Sequence, residues 1–462
     1  MNQKSALKKI KNKKFLNVCE TLVSEMKRLK IPGVSIGIYD HGKAYAAGFG
    51  VTSIENPLPV TPDTLFQTGS ISKTFTGTIF MRLVEEGKVD LDAPVRTYLP
   101  KFKMADKEVA ERVTLRHLLT HTGGWVGDYF NDYGYGDNAL AKMMKDIARL
   151  EQVTPLGELW SYNNAGFNIA GRVVEVVTGK PFEQAARELV LDPLGLDMTY
   201  YFPDDIMITH RFVVGHHNEG KKVKVSRPWA IGRAGAPVGG VISTVKDLLK
   251  YARFHMGDGK SFNGKKILTV KSLREMRKPL HSATGSDQIG LTWFIRKTGG
   301  LNIITHGGAT HGQIAGLYFI PEKDFALAVL TNGEDGRLIT KAALKKALKV
   351  YFDVDTPSPT LLETPEEALH EYEGHYELPL TAFELKVKND DLVLYDIPRG
   401  GFPTPDSPPL PASPPMRMAF YKKDKIIMLD EPMKDGLGEF LRDADGVLKY
   451  FRLSSRVHKK LN

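Results

Sequence analysis

At 462 residues the chain exceeds one ordinary core and predicts two domains, with a third within reach. Its 42% hydrophobic and 25% charged residues are those of a globular protein, and no run approaches the twenty apolar residues a membrane-spanning helix needs. A net charge of +9 over this length serves solubility rather than a nucleic-acid partner, and the lone Cys19 excludes a disulfide framework or a cysteine metal cluster.

Residues 1–14 carry six lysines and no acid, without aromatic interleaving, and read as a frayed basic arm. No apolar core with a small-residue cleavage site follows, so a secretory signal is not expected and a reducing cytoplasm is the simplest location. Phe15, Leu16, Leu22, Met26 and Leu29 lie at helical spacing, and Ile31-Pro32-Gly33 stops that helix. Residues 34–39 and 43–50 then predict a hairpin through Asp40-His41-Gly42.

The next feature is Thr68-Gly69-Ser70-Ile71-Ser72-Lys73-Thr74-Phe75, a Ser-x-x-Lys box opening a helix that ends near Gly87, with Ser70 as its expected N-cap. Residues three apart on a helix share a face, which puts the Lys73 amine beside the Ser70 hydroxyl. A serine hydroxyl is a poor nucleophile at neutral pH and needs a base. A lysine can serve if burial or nearby positive charge keeps some of it neutral. The box is short and also occurs incidentally, so the rest of the chain has to supply the remaining parts.

Residues 92–240 are expected to be mostly helical with long loops. Thr114 heads a short helix that Thr122-Gly123-Gly124 closes. His117 and His121 sit four apart, as zinc ligands do, but no glutamate lies between them and no third ligand is evident, so both read as structural. His216-His217 reads as loop-bound and equally without metal chemistry. Trp160-Ser161-Tyr162-Asn163-Asn164-Ala165-Gly166 precedes a helix over 167–178. The Tyr162 phenol can accept a serine proton and pass it to a leaving group if a nearby cation lowers its pKa, and the Asn164 amide can hold Lys73 or a substrate carbonyl. The bland alternative is an interfacial tyrosine beside a capping asparagine.

Ser243 or Thr244 caps a further helix, and residues 290–297, 302–305, 313–320 and 325–332 predict antiparallel strands. Thr305-His306-Gly307-Gly308-Ala309 continues one of them. Gly307 and Gly308 let a substrate backbone approach closely, and the Ala309 N–H can pair with that of Ser70 as an oxyanion hole. His306 can orient a leaving group or bind a carboxylate, though a lone histidine is more often structural. A lysine-rich helix over 338–352 closes this domain, and the N-terminal hairpin is expected to join its sheet. Residues 353–367 read as a linker. Short strands near 374–377, 383–387, 391–395, 418–421, 425–429, 438–442 and 448–452 then suggest a small barrel or sandwich, interrupted by a loop over 398–415 with eight prolines.

Ser-x-x-Lys, Tyr-x-Asn and His-Gly-Gly, in this order and spacing, resemble the serine β-lactamase and penicillin-binding-protein superfamily, in particular its class C-like branch with D-aminopeptidases, D,D-carboxypeptidases and esterases. The likeness extends to Leu-Arg-His-Leu-Leu-Thr-His-Thr-Gly-Gly at 115–124, Asp-Pro-Leu-Gly-Leu at 192–196 and Gly-Gly-Val-Ile-Ser-Thr at 239–244, and covers about residues 15–352. It implies an α+β fold: an antiparallel sheet flanked by helices, with an inserted helical subdomain. The C-terminal strands resemble, more weakly, the lipocalin-like β-barrel of archaeal peptidases that act on D-amino-acid peptides. The implied domains are an arm at 1–14, a serine hydrolase at 15–352, the linker at 353–367 and a barrel at 368–462.

The resemblance further implies Ser70 as the acylated nucleophile, Lys73 as its base, and Tyr162 as partner base and leaving-group acid. Asn164 falls in the hydrogen-bond network, and Ala309 gives the second oxyanion N–H. The better-known branches carry Lys-Thr-Gly as the third box, where this chain has His306-Gly307-Gly308. The literal Lys297-Thr298-Gly299 is a decoy in the turn between two strands. Without the box lysine, a fixed cation for a substrate carboxylate is missing, which disfavours efficient β-lactam hydrolysis and D-Ala-D-Ala trimming. The expected activity is hydrolysis of short D-residue peptides or amides through an acyl-enzyme. A carboxylesterase of the same fold is the alternative, followed by a weak β-lactamase or an idle binding protein, which the intact Ser70, Lys73 and Tyr162 argue against. No metal or organic cofactor is required, no nucleic acid is expected, and a homo-oligomer is compatible with the sequence.

Overall fold

The computed structural model describes residues 3–220, 222–229, 231–379, 381–399 and 412–461. The chain forms two compact units, Met1–Leu91, Ala170–Pro279 and Gly290–Thr356 in the first, and Asp92–Ile169, Leu280–Ile289 and Pro357–Asn462 in the second.

In the first unit six antiparallel strands lie side by side in the order Lys43–Gly50, Gly33–Asp40, Phe325–Thr331, Gln313–Ile320, Leu301–Thr310, Phe294–Thr298. The N-terminal hairpin turns through His41 (φ 45°) and Gly42 (φ 82°), the left-handed pair that a two-residue loop demands. It joins the C-terminal strands as expected, with Val34 opposite Thr331 and Asp40 opposite Phe325. Every residue of Phe325–Thr331 is buried, because both faces of the sheet are covered.

On one face lie helices Lys13–Arg28 and Gly336–Phe352, whose Phe15, Val18, Leu22, Met26, Ile339 and Ala343 meet Val34, Ile36 and Ile38. Burial of each large side chain there contributes about 1.5–3 kcal/mol. Helix Val245–Met256, capped by Thr244, occupies the opposite face, where Gly37 leaves room for Leu249. Phe75 of helix Ser72–Glu85 stacks on Tyr251 of that helix at 4.0 Å. Gly299 (φ 54°) and Gly300 (φ 78°) form a tight turn after Phe294–Thr298, so Lys297-Thr298-Gly299 runs from the end of that strand into the turn between two strands.

Two expectations need correction. The basic arm is not frayed, since Gln3–Lys8 is helical and Ala6, Leu7 and Ile10 pack on the core: three apolar residues among the lysines suffice to dock it. His216 and His217 lie in a strand, His216–Glu219, paired with Lys222–Val225, and the His216 Nδ1 sits 2.7 Å from the Asn332 carbonyl oxygen.

The second unit holds helices Val95–Tyr98, Lys107–Arg112, Leu115–Leu119 and Ala139–Ile147, the start of Asn164–Thr178, and a hairpin of His281–Ser282 with Gln288–Ile289. It also contains a closed antiparallel barrel of eight strands in sequence order, from Gly374–Leu378 to Arg456–Leu461. The interior is packed with Tyr376, Leu385, Leu394, Met418, Phe440 and Phe451. The eighth strand has no counterpart among the predicted seven, because its two buried residues, Val457 and His458, are adjacent and give it no alternating pattern. It closes the barrel by placing Lys460 opposite Tyr376. Pro398 ends strand Asp391–Pro398 opposite Thr381, and most of the proline-rich segment, 400–411, lies outside the described residues. No described helix is long and apolar enough to cross a membrane, and no group of three described His, Cys, Asp or Glu side chains is placed to hold a metal ion.

Candidate active site

Ser70 is not an N-cap. It lies in the 3-10 turn Gly69–Ile71 that precedes helix Ser72–Glu85, and its hydroxyl accepts a 3.1 Å bond from the Lys73 Nζ. A capping serine spends its oxygen on backbone N–H groups; the extra turn leaves this one to the lysine. Lys73 is fully buried and also donates to the Val238 carbonyl at 2.9 Å. The segment around Val238 holds the turn as well. Ser72 Oγ donates to the Gly69 carbonyl (2.7 Å) and accepts from the Val241 N–H (2.9 Å), and the Thr68 N–H donates to the Val241 carbonyl (2.9 Å).

Strand Leu301–Thr310 closes the other side of this turn. Gly69 has φ +52°, and a Cβ on it would lie 2.6 Å from the Ala309 nitrogen. A Cβ on Gly308 would lie 1.9 Å from the Thr68 oxygen and 2.8 Å from the Ser70 nitrogen. The two glycines therefore allow the peptide carrying the Ser70 N–H to lie against the Gly308–Ala309 backbone. His306 is buried beneath, its Nδ1–H donating to the Gly307 carbonyl at 2.6 Å. Burial, reinforced by the Lys73 cation, pushes its pKa down to about 3. It is a neutral imidazole in the working range of pH and supplies no cation for a substrate carboxylate.

Tyr162 and Asn164 come together in the second unit. The Tyr162 N–H donates to the Ser455 carbonyl (2.8 Å), and the Val457 N–H donates to Ser161 Oγ (3.2 Å), so the turn before the last barrel strand grips the 160–164 loop. Asn163 Oδ1 accepts from the Gly166 N–H (2.8 Å), the bond of a helix N-cap, and its amide donates to the Trp125 carbonyl (2.9 Å). The Asn164 amide donates to Asp128 Oδ1 at 2.6 Å. Arg456 binds both oxygens of Asp128, at 2.9 and 3.0 Å, and its guanidinium lies 4.7 Å above the Tyr162 ring. A small, partly open pocket lies beside Tyr162, lined by Trp125, Val153, Leu378, Pro379 and Arg456.

Ser70, Lys73, His306, Gly307, Gly308 and Ala309 are thus assembled in one unit, and Tyr162 and Asn164 in the other. Sequence reasoning missed Val238, Asp128 and Arg456. Val238 acts through a carbonyl, which side-chain patterns cannot reveal. Asp128 is one acid in an irregular loop. Arg456 follows two serines at the end of the predicted strands, and its partner is 328 residues away. His121, read as structural, stacks on Tyr162 at 4.3 Å.

The Beta-lactamase family model matches residues 20–349. The chain is 33% identical over 310 residues to penicillin-binding protein 4 of Amycolatopsis lactamdurans, covering 66% of this chain and 81% of that one. Among solved structures, SurE matches over the whole of both chains with a TM-score of 0.77 at 22% identity, and a second structure of it is with D-Leu. The octameric penicillin-binding protein homologue from Pyrococcus abyssi matches 96% of this chain and 98% of that one, with a TM-score of 0.61 at 23% identity. The two structural likenesses carry the fold, barrel included.

Proposed function

The chain belongs to the β-lactamase family of serine hydrolases, and on that footing we propose that it cleaves short peptides or amides containing a D-residue through an acyl-enzyme on Ser70. The observation that carries this reading is the buried Lys73 amine 3.1 Å from the Ser70 hydroxyl, on a turn seated against Gly308–Ala309. Lys73 takes the Ser70 proton, Oγ attacks the carbonyl carbon, and the Ser70 and Ala309 N–H groups stabilise the oxyanion. Tyr162 protonates the departing amine or alcohol and is reprotonated from Lys73; the neutral amine then takes a proton from water, whose oxygen displaces Ser70 Oγ from the acyl carbon, and that proton returns to Ser70 as the acid leaves. The preference for a D-residue is supported by SurE, whose fold this chain shares and which has a structure with D-Leu.

A carboxylesterase is the second reading, and the neutral His306 favours it: without a cation at the third box, a substrate needs no carboxylate. Initial rates on D-alanyl and L-alanyl p-nitroanilide and on p-nitrophenyl butyrate separate the two, with Ser70→Ala alongside. A D-selective anilide rate lost in the variant supports the peptidase. Ester turnover alone, again lost, supports the esterase. Activity that survives Ser70→Ala overturns both.

A further inference from the structure

His121 combines features that a merely structural histidine does not need. It is 1% exposed, and its backbone is left-handed at φ 60°, a conformation that non-glycine residues adopt mainly where the surroundings enforce it. It touches three consecutive residues of the loop that carries the proposed leaving-group acid. Its carbonyl accepts from the Ser161 N–H at 3.0 Å, its Nδ1 accepts from the Asn163 N–H at 2.9 Å, and its ring stacks on Tyr162 with 4.3 Å between centroids and 26° between planes. An N–H can only donate, so Nδ1 is the acceptor and the ring proton resides on Nε2. Phe167, at 5.0 Å, and Trp160, edge-on at 6.3 Å, pack around the imidazole and fix its plane. Arg456 lies 4.7 Å above the same phenol ring.

We propose that His121 is the positioning residue for Tyr162, holding the phenol ring by stacking its imidazole on it and binding the backbone on either side, so that the hydroxyl delivers its proton to the leaving group. This rests on the serine-hydrolase reading above. No bond to His121 forms or breaks. The imidazole restricts rotation of the Tyr162 side chain, and removing it lets the ring leave the place where proton transfer is efficient.

The consequence is selective. A leaving group that departs readily as an anion does not need the proton, whereas an alkoxide or amide nitrogen does. The test compares kcat and KM for p-nitrophenyl butyrate and ethyl butyrate in the full-length wild type, His121→Asn, His121→Phe and Ser70→Ala. Asparagine tolerates the left-handed backbone and removes the ring; phenylalanine keeps a stacking ring and removes Nδ1. His121→Asn is expected to lower kcat on the ethyl ester ten- to a hundredfold, with KM within twofold and the p-nitrophenyl rate within threefold. His121→Phe falls between it and the wild type, and supplies the reading should the Asn variant not fold. Equal losses on both esters, or no loss on either, overturn the proposal. A wild type that cleaves only amides is put through the same comparison with D-alanyl p-nitroanilide and D-alaninamide in place of the two esters. The serine-hydrolase reading fails separately, through activity that persists in Ser70→Ala or a wild type that turns over none of the four substrates, and the inference about His121 falls with it.

Discussion

Alanine at Gly308 places a methyl group where the chain has no room for one. Its Cβ would stand 1.9 Å from the Thr68 carbonyl oxygen and 2.8 Å from the Ser70 nitrogen, both backbone atoms that cannot swing aside as a side chain would. Ordinary contact begins at 3.4 Å, so the turn carrying Ser70 has to retreat from the strand by about 1.5 Å. A displacement of about 1 Å at a reacting group costs on the order of 100-fold in rate, about 2.7 kcal/mol of barrier. Overpacking of this kind also costs about 1–3 kcal/mol of stability. Gly307→Ala is the adjacent control, since its Cβ would meet nothing nearer than the Ala315 oxygen at 3.6 Å. The assay is kcat on p-nitrophenyl butyrate together with the melting temperature. We expect Gly308→Ala to lose at least about 100-fold in kcat and Gly307→Ala to keep both kcat and melting temperature. A Gly308→Ala enzyme within threefold of the wild type would refute the packing argument.

Three further outcomes follow from the same geometry. Lys73→Met should lower kcat by about 10²–10⁴-fold, the usual weight of a general base, while circular-dichroism melting shifts by only a few degrees because the apolar stem stays buried; a wild-type rate would remove Lys73 from the mechanism. His306 remains neutral in the fold down to a pKa of about 3 but titrates near 6.5 when unfolded, so between those values the unfolded chain binds the extra proton. Its contribution is complete above pH 6.5 and is lost at about 1.4 kcal/mol per pH unit on acidification, so urea titrations should show a shallower acid loss in His306→Gln than in the wild type, and parallel loss would contradict this. Cys19 is buried, with its thiol pushed far up by desolvation and secondarily by Glu20, so native protein at pH 8 should not react with a disulfide reagent until denaturant is added.

The parts of the fold legible in the sequence were those written in short-range pattern. The hairpin announced itself through Asp40-His41-Gly42, the decoy box through Gly299-Gly300, and the Val245–Met256 helix through Thr244. The box also gave the Ser70–Lys73 contact, because three-residue spacing holds even though the helix proper begins only at Ser72. What stayed hidden depends on chain brought from far away. The cap reading of Ser70 ignored the Val238–Val241 segment that pins the preceding turn. Nothing near Asn164 in the sequence showed that its amide also donates to Asp128, whose carboxylate Arg456 binds in turn. The strand Arg456–Leu461 failed to register because its buried residues, Val457 and His458, are adjacent and do not alternate, and its role is to close a ring.

That closing strand also sets a clock. Tyr162 takes its backbone partner from Ser455 and its cation from Arg456, almost three hundred residues later in the chain. At ribosomal speeds of about 5–20 residues per second, the loop around Tyr162 waits roughly 15–60 s after synthesis before those partners exist. Throughout that interval the loop lacks the turn that grips it in the finished protein. A defect confined to the end of the barrel would therefore register in the loop around Tyr162, far from the altered codon.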